Sequence, residues 1–287
     1  MFEIVKAMIS KVFGGSSSKA IADAVLIDPL SQEFKDVWSG VTATYDTIIV
    51  PVGVCILIFL FFYAIVEKAS SENVSFETIG NMIVQLLLLC GFMEVAMYLA
   101  SLILHTTYLV VQAVNTNLSS IPTDSEVVSE VVKLFFFTEE PVWTGTFSFL
   151  TEFRECFAPF FILSVPWLIT VACELIIELY AFMRQIEVFV RATFFPVAIG
   201  DCYGSNPSGV RYVKTFLALC LQGAVIIVTI RICDILCLHY IRNVDVPSIA
   251  DFSSVMAVVI MPIVYHVAAT ALVLKSLPLC KEICGAN

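Results

Sequence analysis

Along this 287-residue chain, apolar residues do not alternate with polar ones. They run in long blocks separated by short charged stretches. A bilayer core of about 30 Å takes about 20 apolar residues in a helix, which sets the window for reading blocks as spans. Residues 47–66 (TIIVPVGVCILIFLFFYAIV) carry no charge and form the first span. A short acidic linker, 67–77, leads into 78–113, where Glu94 is the only acidic or basic interruption apart from His105. That second block is long enough to tilt or to project beyond the bilayer. Residues 156–173 are again uncharged, and the helix continues to about residue 183. The piece 188–203 is short and reads either as a full span or as a re-entrant hairpin. Residues 212–238 and 252–274 complete the set. The pattern predicts an all-α, polytopic membrane helix bundle with five transmembrane helices and one further short or re-entrant helix.

The flanking segments read differently. In residues 1–13 (MFEIVKAMISKVF), Ile4, Val5, Met8, Ile9, Val12 and Phe13 follow helical spacing. Glu3, Lys6 and Lys11 interrupt any signal-peptide core. This is an amphipathic helix expected to lie on the membrane or on a partner, with Gly14–Ser18 breaking it. The organisation is therefore a juxtamembrane region 1–46, two spans in 47–113, a polar loop 114–155, a C-terminal membrane bundle 156–274 and a tail 275–287. Within the polar loop Ser129–Phe137 is apolar enough for a small interfacial helix, which Glu139-Glu140-Pro141 ends.

Composition sharpens the class. The chain is 59% hydrophobic and 14% charged, against about 45–50% and about 25% for a soluble domain. A chain this apolar is neither an ordinary soluble domain nor disordered. The net charge of −10 argues at first against a surface that attracts nucleic acid. Half of it, however, belongs to residues 115–155, where seven acidic residues stand against Lys133 and Arg154. Residues 204–214 carry +2 and the tail +1.

Orientation follows the basic residues. Six full spans would leave both termini and the polar loop in the cytoplasm; five would put the N-terminus and that loop outside. Both leave Arg211, Lys214 and the tail in the cytoplasm.

Enzyme chemistry finds no anchor. The sequence has no HExxH and no GxxxxGK[ST] loop. Cys233/Cys237 and Cys280/Cys284 have i,i+4 spacing, and His239 is near the first pair, but no four-ligand zinc spacing appears. No catalytic residue, metal or cofactor is expected.

Charges inside the spans are the candidate functional groups, since each costs about 2.5–3.5 kcal/mol on insertion scales unless paired or hydrated. Arg184, Glu187 and Arg191 stand i,i+3 and i,i+4 and are expected to neutralise one another on one helix face. Arg231 and Asp234 form a second i,i+3 pair. These are either substrate-path charges or self-paired packing charges. Glu94 has no base within helical reach, so it takes a proton, faces water or pairs with another helix, Arg191 and Arg231 being the candidates. Glu174 and Glu178 are expected near the membrane edge, and His266 as a hydrogen-bonding packing residue in the last span. Arg211 and Lys214 sit at a membrane boundary. Gln222 and Gly223 suit close helix approach and an interhelical hydrogen bond.

One stretch is distinctive: EVFVRATFFPVAIGDCYGSNPSGVRYVKTFLALCLQGAVI, residues 187–226. An Arg-bearing helix meets a Pro-Val-Ala-Ile turn, a glycine loop, an Arg-Tyr-x-Lys-x-Phe boundary and a Gln-Gly-Ala span. This pattern resembles the TrbL-like polytopic conjugal transfer proteins of Gram-positive integrative elements. The closing KSLPLCKEICGAN resembles that family's short basic C-terminus. Outside 185–230 the likeness extends only to hydropathy and loop order.

The resemblance implies a multi-pass protein of the bacterial cytoplasmic membrane. Its role would be that of an inner channel or scaffold subunit of a conjugative type IV secretion system. It would act as a homo-oligomer, in contact with membrane lipids, beside a secretion ATPase and a coupling protein. A relaxase-linked single DNA strand would be its transient substrate. It also implies an outward-facing central loop, which favours five spans. Two other readings stand beside it: a secondary transporter or small-molecule channel using Glu94 as a proton or cation site, and a purely structural stator. The absence of any internal repeat weighs against the transporter.

Overall fold

A computed structural model describes residues 1–13, 16–26, 28, 30–71, 76–119, 125–136, 148–201, 208–243 and 252–286. Their regular structure is entirely helical, with no strand among the described residues. Four helical stretches are long and apolar enough to cross a membrane: Lys35–Ser70, Phe76–Asn117, Glu152–Thr193 and Ser208–Ile241. A fifth arises if Val258–Leu274 and Ser276–Ile283, bent by 50°, count as one span. Helices of this number and hydropathy are compatible with a multi-pass membrane protein.

The first long stretch is composite. Helix α3 (Lys35–Thr44) passes through a π-helical turn, Tyr45–Ile49, into α4 (Val50–Ser71). Pro51 explains the turn: it lacks an N–H and its ring crowds the carbonyl of residue 47, so the backbone widens there. Helix α5 (Phe76–Ser119) follows, then α6 (Ser125–Phe136), α7 (Ser148–Thr193), the short α8 (Phe195–Gly200), α9 (Ser208–Asn243), α10 (Phe252–Leu274) and α11 (Ser276–Ile283). Two short helices precede them, α1 (Phe2–Phe13) and α2 (Ser16–Val25).

Contacts divide the chain into two compact units. The first comprises Met1–Leu26, Gln112–Ala181 and Ala224–Ser276; the second comprises Ile27–Val111, Phe182–Gly223 and Leu277–Asn287. In the first unit, Val5, Met8, Ile9, Val12 and Phe13 of α1 are buried in one core with Val131, Val132, Leu163, Leu238, Ile241 and Val258. The amphipathic helix is therefore present as expected, but what covers its apolar face is its own chain. In the second unit, Met93, Ala96, Ala100 and Leu104 of α5 form an i, i+3, i+7, i+11 stripe against Tyr45, Leu57, Val188, Ala192, Phe195, Phe216 and Leu219. Gly53 and Gly200 let α4 and α8 approach closely. A Cβ on Gly200 would lie 3.2 Å from the Gly53 carbonyl oxygen and 2.8 Å from Met93 Cε.

Tyr45 locks the π-turn to α5. Its hydroxyl donates to the Met93 carbonyl at 2.6 Å and accepts from the Met97 N–H at 3.1 Å. It thus bridges one rung of the α5 ladder from a fully buried position. Tyr45→Phe is expected to lower stability by about 1–2 kcal/mol, read as a lower thermal midpoint in detergent.

Two sequence expectations need correction. Of residues 188–203, expected as a full span or a re-entrant hairpin, the described part, 188–201, is the end of α7, a break at Phe194, and the six-residue α8 capped by Asp201. The Glu187–Arg191 pair lets α7 continue through its charges, and Pro196 suits the first turn of a new helix, where its missing N–H costs nothing. Within the polar loop, α5 runs on to Ser119 and α7 starts at Ser148, and a helix is present where Ser129–Phe137 was expected to form one, as α6, Ser125–Phe136. Residues 16–18 belong to α2 rather than to a break, and Ser208 and Gly209 open α9. Gly14, Gly15 and residues 202–207 lie outside the described residues.

Candidate functional site: polar groups inside the helical units

In the second unit, α7 presents Arg184, Glu187 and Arg191. Arg191 and Glu187 pair as expected, with Arg191 Nε and Nη2 at 2.8 Å and 2.7 Å from the same carboxylate oxygen. The Arg191 guanidinium also lies over the Tyr212 ring, 5.9 Å from its centroid, and the Tyr212 hydroxyl donates to the Arg191 carbonyl at 2.8 Å. Arg191 is thus held by α9 as well as by its own helix.

Arg184 does not join this pair. It turns to α9, donating from Nε to the Leu219 carbonyl at 3.2 Å and from Nη2 to the Cys220 carbonyl at 3.0 Å. Gly223 makes the room: a Cβ there would sit 2.9 Å from Cζ, Nη1 and Nη2. The expected self-neutralising triad is corrected to a pair plus a cation seated on a helix backbone. Carbonyl oxygens already in the α9 ladder have a second lone pair for Arg184. Gly223 serves close approach, but to a side chain. Gln222 beside it is buried, and its side chain is engaged.

Glu94 lies on the exposed side of α5, opposite the Met93–Ala96–Ala100 stripe, and makes no hydrogen bond or ion pair among the described residues. The expected pairings with Arg191 and Arg231 are not seen. Its level along the helices follows from its neighbour: Met93 Cε reaches Gly53 and Gly200. Gly53 is six residues inside the uncharged stretch 47–66, or about 9 Å at 1.5 Å per residue. Around Glu94 on that face lie exposed Leu87, Gly91, Tyr98 and Leu102.

The boundary cations have different fates. Arg211 is exposed at the start of α9. Lys214 donates to the Gly285 carbonyl at 3.3 Å. Gly285 adopts φ +61 where α11 ends, and Ala286 N–H reaches back to the Lys281 carbonyl at 2.8 Å. This is a Schellman-type stop that favours glycine, with Lys214 adding charge at the helix C-terminus.

In the first unit a second group gathers that the sequence did not connect. Lys11 Nζ of α1 lies 2.7 Å from Glu174 Oε2 of α7. Glu174 is only 7% exposed. His266 Nε2 of α10 lies 3.2 Å from the Val12 carbonyl, one of the orphan carbonyls of the last turn of α1. Around them is a cavity of about 30 Å³ with Val12, Phe13, Glu174, Asp234, Tyr265 and His266 in its wall. Arg231 and Asp234 are half-buried, one turn apart on α9, and both side chains are engaged. The signal that could have found the group was the basic Lys11 on an otherwise buried helix face, opposite an acid in a span.

Among the described residues, no three His, Cys, Asp or Glu side chains are placed to hold a metal ion. The nine described cysteines are all free thiols, including both i,i+4 pairs. Comparison with protein-family models, with curated proteins and with solved structures finds no match for this chain.

Proposed function

We propose that this chain is a subunit of a conjugative type IV secretion machine, a conduit and scaffold in the bacterial cytoplasmic membrane for a single-stranded DNA–protein substrate. The carrying observation is Glu94. A carboxyl group on an exposed face of an apolar helix, level with the uncharged stretch 47–66 and without a partner among the described residues, suits a helix that meets another protein rather than lipid. The likeness of residues 187–226 to TrbL-like proteins supplies the identity of the machine. In this reading α10 and α11 form the fifth span, and α8 is the additional short helix. Arg191 and Arg211 are the cations nearest to an anionic substrate or to lipid headgroups. A secretion ATPase, a coupling protein and further copies of the chain are its partners.

A mating assay tests the reading, with protein levels in the membrane measured in parallel. Glu94→Leu is expected to accumulate at least as well as the parent, because it removes an insertion cost of about 2.5–3.5 kcal/mol. DNA transfer should nevertheless fall about a hundredfold, as expected for loss of a buried charged contact worth about 3 kcal/mol. Arg191→Ala and Arg211→Ala should also reduce transfer. Wild-type transfer by all three variants overturns the proposal. Solute or ion flux from the purified chain alone in liposomes would point instead to a transporter. Crosslinking to DNA in transit separates a conduit from a stator.

A further inference from the structure

The first unit holds a polar site that neither packing nor secretion requires. Glu174 spends one carboxylate oxygen on Lys11; the other, Oε1, is buried with no hydrogen-bond partner among the described residues. Glu174 lines the 30 Å³ cavity, and so does Asp234 from α9. A site of at least about 10–15 Å³ with several polar partners holds a water molecule. Water is also the ligand that donates to two carboxylates at once. A metal ion is disfavoured, since no three ligands converge among the described residues.

We propose that this cavity is a buried water site that takes up and releases a proton, with Glu174 as the acceptor and helix α1 as its cover. The step needs no co-reactant. A hydronium proton, relayed by the cavity water, forms an O–H bond on Glu174 Oε1 and leaves neutral water behind. The carboxylate becomes a carboxylic acid and the net charge of the site rises by one.

The groups that face the acceptor are Lys11 from α1, Cys173 and Glu178 from α7, Cys233, Asp234 and Cys237 with Arg231 a turn away from α9, and Tyr265 and His266 from α10. Lys11 is 30% exposed, so once Glu174 is neutral its ammonium has water within reach. Helix α1 then keeps its apolar contacts and the His266–Val12 bond but loses its buried ion pair. Uptake of the proton thus loosens the cover.

Infrared difference spectroscopy on the full chain in lipid nanodiscs tests the acceptor. Between about pH 8 and about pH 4, a range that brackets carboxylate titration, a buried carboxylic-acid band should appear in the parent. It should vanish in Glu174→Gln and persist in Glu178→Gln. A band unchanged in Glu174→Gln overturns the assignment.

The cover is tested separately by small hydrophilic thiol reagents at fixed pH. Labelling of Cys173, Cys233 and Cys237, normalised to Cys284, should rise about tenfold in Glu174→Gln, the signature of easier local opening. Labelling equal to the parent in both Glu174→Gln and Lys11→Met shows that α1 is a fixed structural helix and overturns the cover.

Discussion

Adding one methyl group at position 223 is expected to destabilise the protein by about 3 kcal/mol, the reverse of what helix propensity alone dictates. In a helix interior, Gly→Ala ordinarily gains about 1 kcal/mol. Here the new Cβ would stand 2.9 Å from three atoms of the Arg184 guanidinium. The guanidinium is the end of a flexible side chain and can retreat, but only by giving up its bonds to the Leu219 and Cys220 carbonyls. Hydrogen bonds to a charged group contribute about 1.5–3 kcal/mol each, and a buried charge left unpaired costs about 3–5 kcal/mol. These penalties exceed the propensity gain.

A double-mutant cycle isolates the cause. Gly223→Ala should be near neutral in an Arg184→Met background, giving a coupling of at least about 2 kcal/mol between the two sites. Chemical or thermal unfolding in detergent measures it. Additive effects would show that Gly223 is needed for something other than Arg184.

The second large effect is an asymmetry within the Lys11–Glu174 pair. Lys11→Met leaves a carboxylate that is 7% exposed without its cation, so a loss of about 3 kcal/mol is expected. Glu174→Gln leaves an ammonium whose side chain is already 30% exposed and has water within reach. Its cost should be nearer to about 1 kcal/mol. The double change Lys11→Met with Glu174→Leu should recover most of the loss, because a buried ion pair replaced by apolar groups is often neutral or better. Unfolding midpoints of the four proteins decide it. Equal losses from the two single changes would mean that the pair is effectively solvated.

Hydropathy along the chain was enough to specify long apolar helices whose length and number are compatible with a multi-pass membrane protein. Uncharged blocks of about 20 residues have few other solutions, because lipid forces every backbone group into internal hydrogen bonds. It was also enough for local pairs such as Glu187–Arg191, since i,i+4 neighbours meet on any helix. The 3.6-residue spacing of Val5, Met8, Ile9 and Val12 specified an amphipathic helix.

What covers that helix was decided only by tertiary structure. A periodic apolar face requires burial but does not say whether lipid, a partner or the chain itself provides it. Arg184 shows the same limit. Its spacing from Glu187 permits an ion pair, yet Gly223, 39 positions later in the sequence, offers backbone carbonyls at hydrogen-bond distance. Glu174, whose sequence neighbour Glu178 suggested a solvated edge, met Lys11 from the far end of the chain and became the centre of a buried site. Charges in lipid are settled by whichever partner desolvates them least, and that partner is chosen by packing between distant segments. Glu94 meets no partner among the described residues, and its place on the exposed face of α5 could not be read from its spacing alone.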